Sequence, residues 1–279
     1  MRHRIAVATC LTLSLAACSS SGSTSGITVS ASAARPASAA LRTARLDAGN
    51  GVVVDRIRIV VRKFEVEGEP ACGTPSSGSS AAAGTGMGLV LGRAADRGSS
   101  DGDASGKDDG ECEIESGPFL VDLSGDALAS GVHPVTGIDV PAGTYEELRF
   151  DVHVIDAAKA GTDAGLLAMA QAGASVLVNG TVDGAPFEFK SAVSVSQKRE
   201  GAIVVDPETG ANVTLDLDPS GWFEAADGSR LDPTDAAARS AIEARIQASV
   251  RVVHDDDQDG EDDETEHHGG SDDLRTASR

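Results

Sequence analysis

The C-terminal segment carries the ligand spacing of a hard-cation site. Asp255, Asp257, Asp259, Gly260 and Glu266 fall at positions 1, 3, 5, 6 and 12 of a calcium loop, with Glu261 at position 7 counted among the ligands. Alternating carboxylates can turn toward one cation, and a glycine permits the sharp bend between them. Two features depart from the pattern. Asp262 takes the usually apolar position 8, and His267-His268-Gly269-Gly270 follows instead of an apolar helix. The competing reading is a solvated acidic tail: residues 255–273 hold 11 acids and no Lys or Arg, and such a run meets this spacing by chance. Weak calcium binding would still suit an extracellular module. His254, His267 and His268 add a lesser zinc or copper set.

Catalytic chemistry finds little to stand on. A nucleophilic triad needs an activated Ser with His and Asp in reach. The serines cluster in linker-like stretches, and Gly22-Ser23-Thr24-Ser25-Gly26 places Thr where a nucleophile elbow needs Ser. His133 neighbours a proline and His153 lies on the wet face of a strand. Carboxylate pairs are too common in this chain to mark acid–base work. The expectation is a non-catalytic protein. Trp222, Phe223 and Tyr145 are the rings left to stack on a sugar, against a reading in which Trp222-Phe223 forms a lid on the core.

The cysteines address the chain to the cell envelope. Arg2 to Arg4 are basic, Ile5 to Ala17 are mostly apolar, and Leu15-Ala16-Ala17-Cys18 closes the run. This is the order of a secretory signal peptide, too short to span a bilayer. The closing tetrapeptide resembles the lipobox of bacterial lipoproteins, which implies cleavage before Cys18 and a lipid on its sulfur. Several acyl chains on one residue give stable anchoring. By the same resemblance, Ser19 favours the outer membrane. Cys72 and Cys112 then remain as an even pair in an exported protein and read as a disulfide. It would close a loop of roughly 40 residues, a constraint of about 4 kcal/mol on the chain-entropy model. The formal charge of −21 argues against nucleic acid as a partner and against charge-driven docking on anionic lipid. The expected partners are the membrane, through the N-terminal lipid, and a protein or glycan of unspecified kind.

The elements that would position these residues are mainly strands. Residues 19–40 read as a flexible Ser/Ala/Gly tether with Ile27-Thr28-Val29 as a short strand inside it. Residues 52–67 read as one long strand whose alternation slips near Arg62-Lys63, which predicts a bulge. Residues 73–111 are a low-complexity insertion, with the disulfide at its base. Strands follow at Phe119 to Leu123, Leu148 to Val154 and Ser175 to Val182. Asp183-Gly184 signals a hairpin whose returning strand carries Phe187, Phe189, Val193 and Val195 on one face. Residues 156–174 suit a short helix or a loop. Val213, Leu215 and Leu217 alternate with Thr214, Asp216 and Asp218, as in a strand with one wet face. Asp232, Pro233 and Asp235 open a predicted helix that runs to Val250.

The strand at Val52 to Val66, the Phe119 to Leu123 segment, the Pro141-Ala142-Gly143-Thr144-Tyr145 turn with its strand, and the Val213 to Asp218 strand together resemble the bacterial lipoprotein family called domain of unknown function 4382. The resemblance implies a β-sandwich outside a membrane and carries over no catalytic residue. The expectation is a mainly β protein, an antiparallel β-sandwich with one C-terminal helix at about 232–250 and a disordered acidic tail. Its parts would be a signal peptide (1–17), lipidated Cys18 with its tether (18–40), one domain (41–253) with the insertion 73–111, and the tail (254–279).

Overall fold

The computed structural model describes residues 25–33, 45–68, 112–129 and 131–263. In chain order its elements are β1 (Gly26–Ser32), β2 (Leu46–Asp47), β3 (Val52–Gly68), β4 (Cys112–Ser116), β5 (Phe119–Ser124), α1 (Asp126–Ala129), β6 (His133–Asp139), β7 (Gly143–Val152), α2 (Ala164–Ala172), β8 (Val176–Val182), β9 (Ala185–Ser191), β10 (Val195–Val205), β11 (Ala211–Leu217), α3 (Arg239–Ser249) and β12 (Val250–His254). The protein is mainly β. One sheet runs β12-β11-β1-β6 and the other β10-β7-β3-β8-β9, with β2, β4 and β5 also paired to β3. The inward residues of both sheets, among them Val29, Ile57, Phe64, Phe150 and Leu215, form one apolar cluster. Burying that shared surface is the main driving force for the arrangement.

Strand β3 is the spine of the larger sheet. It pairs β8 along Val52–Ile59 and β7 along Val61–Gly68. The register shifts between Val61 and Lys63, where the alternation of the sequence slips. This bulge lets one strand serve two partners. Val60, outward by phase, is buried too, because α2 covers it with Leu166 and Met169. Helix α2 is set by its ends. The Asp163 carboxylate accepts from Leu166 N at 2.7 Å, and Gly173 closes the helix in the left-handed region at φ 62°. Asp183 and Gly184 both take positive φ, 48° and 85°, as the tight β8–β9 hairpin requires.

Several expectations change. The short strand expected at Ile27-Thr28-Val29 is present but longer, and it belongs to the domain and not to a tether: β1 pairs β6 on one side and β11 on the other and buries Ile27, Val29 and Ala31. The β1–β11 pair is parallel, so the sheets are antiparallel except at this junction. Strand β11 has no wet face, since all its residues from Ala211 to Leu217 are buried. The predicted helix starts seven residues late. Asp232 spends its carboxylate on Thr234 N and Oγ1, and Asp235 accepts from Ala237 N, so both make local turns and neither caps a helix. Helix α3 begins at Arg239, and it is one of three among the described residues. The returning strand after the hairpin ends at Ser191. Val195 opens β10, which pairs β7. Strand β7 stops at Val152, two residues short of the predicted end. Finally, the chain stays folded through Asp263, so the domain runs from Ser25 rather than residue 41 and extends ten residues beyond Val253.

Candidate metal centre

The acidic segment folds back over the outer face of the smaller sheet. Asp255 continues the β12 register, its N–H donating to the Asn212 carbonyl at 3.2 Å. The Asn212 side chain donates to the Asp255 carbonyl at 2.6 Å and its backbone N–H donates to Asp256 Oδ1 at 3.0 Å. Arg199 on β10 grips Asp262 with both guanidinium nitrogens, at 2.7 and 2.8 Å. Ser30, Ser32, Asn212 and Thr214 point outward from β1 and β11, yet they are buried. That cover is why β11 lost its wet face. Its polar residues are satisfied inside: Ser30 Oγ donates to Asn212 Oδ1 at 2.8 Å, and Asn212 Nδ2 reaches Thr214 Oγ1 at 3.2 Å.

Within this segment the odd-numbered acids converge. Asp255, Asp257 and Asp259 each bring a carboxylate oxygen to within 4.8 Å of the others. Asp255 is fully buried. Its Oδ1 accepts from Asp259 N at 2.9 Å and its Oδ2 from Gly260 N at 3.1 Å. Gln258 and Gly260 take positive φ, 60° and 88°, which wraps the backbone around the carboxylates. Glu261 is exposed and outside the converging trio, with its N–H donated to Asp259 Oδ1 at 2.7 Å. The trio could hold a metal ion. Hard oxygen donors at this spacing suit a hard divalent ion.

The even-numbered acids are otherwise engaged. Asp262 holds Arg199. Asp256 and Asp263 flank His254, at 3.2 Å from Nε2 and 4.0 Å from Nδ1. These three also form a grouping able to hold a metal. His254 comes from the lesser set named in the sequence. Its Asp partners lie outside that set, Asp256 in the turn that follows β12 and Asp263 further along the segment.

A third grouping, Glu65, Glu113 and Glu115, lies across β3 and β4. Lys63 sits among the three, ion-paired with Glu65 and, at 3.2 Å, with Glu115. Hydrogen bonds donated to Glu65 and then Glu115 hold its ammonium above the usual lysine range. Arg149 adds a second cation to Glu65 at 3.3 Å.

Among the other expected site residues, Cys18, Cys72 and Glu266 lie outside the described residues, as do the signal peptide and the insertion 73–111. Cys112 opens β4 in register with Gly68, so the insertion leaves and re-enters the sheet at adjacent strand ends. Trp222 and Phe223 are fully buried, Trp222 Nε1 donating to Ser249 Oγ at 2.5 Å, and Tyr145 is fully buried as well. The three rings considered for sugar stacking therefore belong to the core. His153 directs Nδ1 at the Val154 carbonyl, 3.0 Å away. Two clefts of about 290 and 390 Å³ are lined without a His or a Cys. Among the described residues no helix is long and apolar enough to cross a membrane. The chain matches no family model, no curated protein and no solved structure.

Proposed function

We propose that this protein is a lipid-anchored, extracytoplasmic, non-catalytic module, held at the outer membrane through Cys18, that binds calcium in the Asp255–Asp259 loop. The cation fastens the C-terminal segment over β1 and β11, and the covered β domain serves as a binding or structural scaffold of the envelope. The lipobox-like Leu15-Ala16-Ala17-Cys18 supports the address. The resemblance to the lipoprotein domain of unknown function 4382 supports the same setting. One observation carries the calcium reading: three carboxylates, one of them fully buried, share a 4.8 Å neighbourhood, and none has an ion pair with a Lys, Arg or His among the described contacts. Carboxylates so placed repel one another, and a cation between them would offset that repulsion.

The test is a thermal melt of the mature chain in calcium and in chelator. At ten times a millimolar-grade Kd, linkage adds about 1.4 kcal/mol, or roughly 3–6 °C for a domain of this size. Asp257→Ala with Asp259→Ala should abolish the rise. A wild-type melt indifferent to calcium removes the calcium reading.

A further inference from the structure

We infer that the domain is strapped to the bilayer by one defined end, the end at which β1 begins, with the lipid headgroup surface as the partner of that end. The inference rests on the Cys18 anchor proposed above. Ser25 is already part of the fold: its Oγ donates to the Val140 carbonyl at 3.2 Å, and its own carbonyl accepts from Val140 N at 3.4 Å. Only Ser19-Ser20-Ser21-Gly22-Ser23-Thr24 separates it from Cys18. Seven Cα steps reach at most about 25 Å. The leash cannot lengthen by peeling β1 away. That strand is paired on both sides, and Ile27, Val29 and Ala31 are at most 1% exposed.

Strand register identifies what shares this end. Gly26 pairs Asp139 and Ile27 pairs Ala211. Gly210 packs so closely on the Gly26 carbonyl that no side chain would fit there. Val205 at the end of β10 pairs Gly143 at the start of β7, and Gly68 pairs both Tyr145 and Cys112. The turn before Tyr145, the 206–210 turn and the base of the insertion therefore gather beside the anchor. The opposite end carries the turns at 49–51, 183–184 and 225–229. Arg230 ties them together, donating to the Asn50 carbonyl at 3.2 Å and to Asp183 at 2.7 Å. The two ends differ in height by at least the length of β1, about 20 Å at 3.3 Å per residue. The near end exposes Asp139, Glu146, Asp206 and Glu208. Its closeness to headgroups thus comes from the leash and not from attraction to anionic lipid.

The experiment uses the full lipoprotein in vesicles of phosphatidylethanolamine and phosphatidylglycerol with rhodamine-labelled headgroups. A donor dye is attached to p-azidophenylalanine placed at exposed Glu208 or, in a second protein, at exposed Ala226. Energy transfer from position 208 should exceed that from 226 about twofold, and inserting about 20 Gly/Ser residues after Ser21 should erase the difference. Equal transfer, greater transfer from 226, or a difference that survives the insertion overturns the orientation. Mass spectrometry of the same samples separates the two readings. A diacylglyceryl Cys18 with equal transfer overturns the orientation alone, whereas an unmodified Cys18 overturns the anchor and the orientation with it.

Discussion

Two trios of carboxylates in this molecule look alike in composition and differ in what surrounds them. Glu65, Glu113 and Glu115 lie across two paired strands, and the sheet register that groups them also delivers Lys63 and Arg149. Asp255, Asp257 and Asp259 lie in a loop, grouped by two left-handed backbone turns. Here the neighbouring basic side chains go elsewhere: Arg199 takes Asp262, and His254 sits with Asp256 and Asp263. A cluster of acids is therefore informative only together with its countercharge. The first trio is closed by the protein's own ammonium. The second could take an ion from solution.

The largest effect should come from removing the second region altogether. If the acidic segment were a solvated tail, ending the chain at His254 would cost nothing. The structure instead gives it three hydrogen bonds with Asn212 and a two-pronged ion pair with Arg199. At roughly 1 kcal/mol net per bond, the truncation should cost about 3 kcal/mol in a urea melt run in chelator. A loss below about 0.5 kcal/mol, the size expected of neutral surface changes, would return the segment to the status of a tail.

The first region should respond to a different variant. Lys63→Met leaves Glu65, whose side chain is 3% exposed, with Arg149 alone. Breaking one partner of a buried pair costs about 3–5 kcal/mol, and with Arg149 retained about 2 kcal/mol is expected. Adding Glu65→Gln should recover most of that, and calcium should change neither result. Acid should tell the same story. Glu147 is held below the usual carboxylate range by its hydrogen bond from Lys198. Asp151 is also lowered, because bonds from Ser196 and Arg62 outweigh the upward push of burial. Depressed carboxylates stabilise the fold fully above their unfolded values of 4.5 and 3.8, and the contribution fades as pH falls through the lower folded values. The raised lysines Lys63 and Lys198 run the other way. Their contribution is complete below the ordinary value of 10.5 and is lost only as pH rises through the folded one. Urea melts from pH 6 to about 3 should therefore show a steady loss that persists in the Asp257→Ala, Asp259→Ala protein.

What was legible in the sequence follows the reach of each interaction. The slip at Arg62-Lys63 and the Asp183-Gly184 hairpin depend on neighbours in the chain, and they appear where the residues place them. Strand β1 depends on β11, more than 180 residues downstream by the Ile27–Ala211 pairing, and its outward Ser30 and Ser32 resemble linker residues until the acidic segment covers them. Asp216, facing the same side, is taken up by Arg251 of β12, which lies 35 positions downstream. Asp232 shows a local rule overtaken by a more local one, since the Thr234 N–H and hydroxyl reach its carboxylate first. At the candidate site, the spacing of Asp255, Asp257, Asp259 and Gly260 was readable. Their lack of a countercharge was not, because Arg199 reaches Asp262 across 63 positions.

The smallest expected effect sharpens the contrast most directly, because it changes the shape of the loop and leaves its charge alone. Gly260 has φ 88°, a region that side chains with a Cβ enter at a cost. A Cβ built there would meet Val132 Cγ2 at 3.4 Å and Ser32 Oγ at 3.7 Å, ordinary contacts that need no rearrangement. Gly260→Ala should therefore lose about 1 kcal/mol from backbone strain alone, measured in chelator. Its N–H still faces Asp255 Oδ2, so the carboxylates remain grouped if the alanine accepts the positive φ. On the calcium reading, the ion should then raise the stability of the variant and of the wild type alike. If the alanine instead relaxes the turn, the calcium response falls together with the stability. The first result would make the trio a property of its carboxylates, and the second a property of the turn that gathers them.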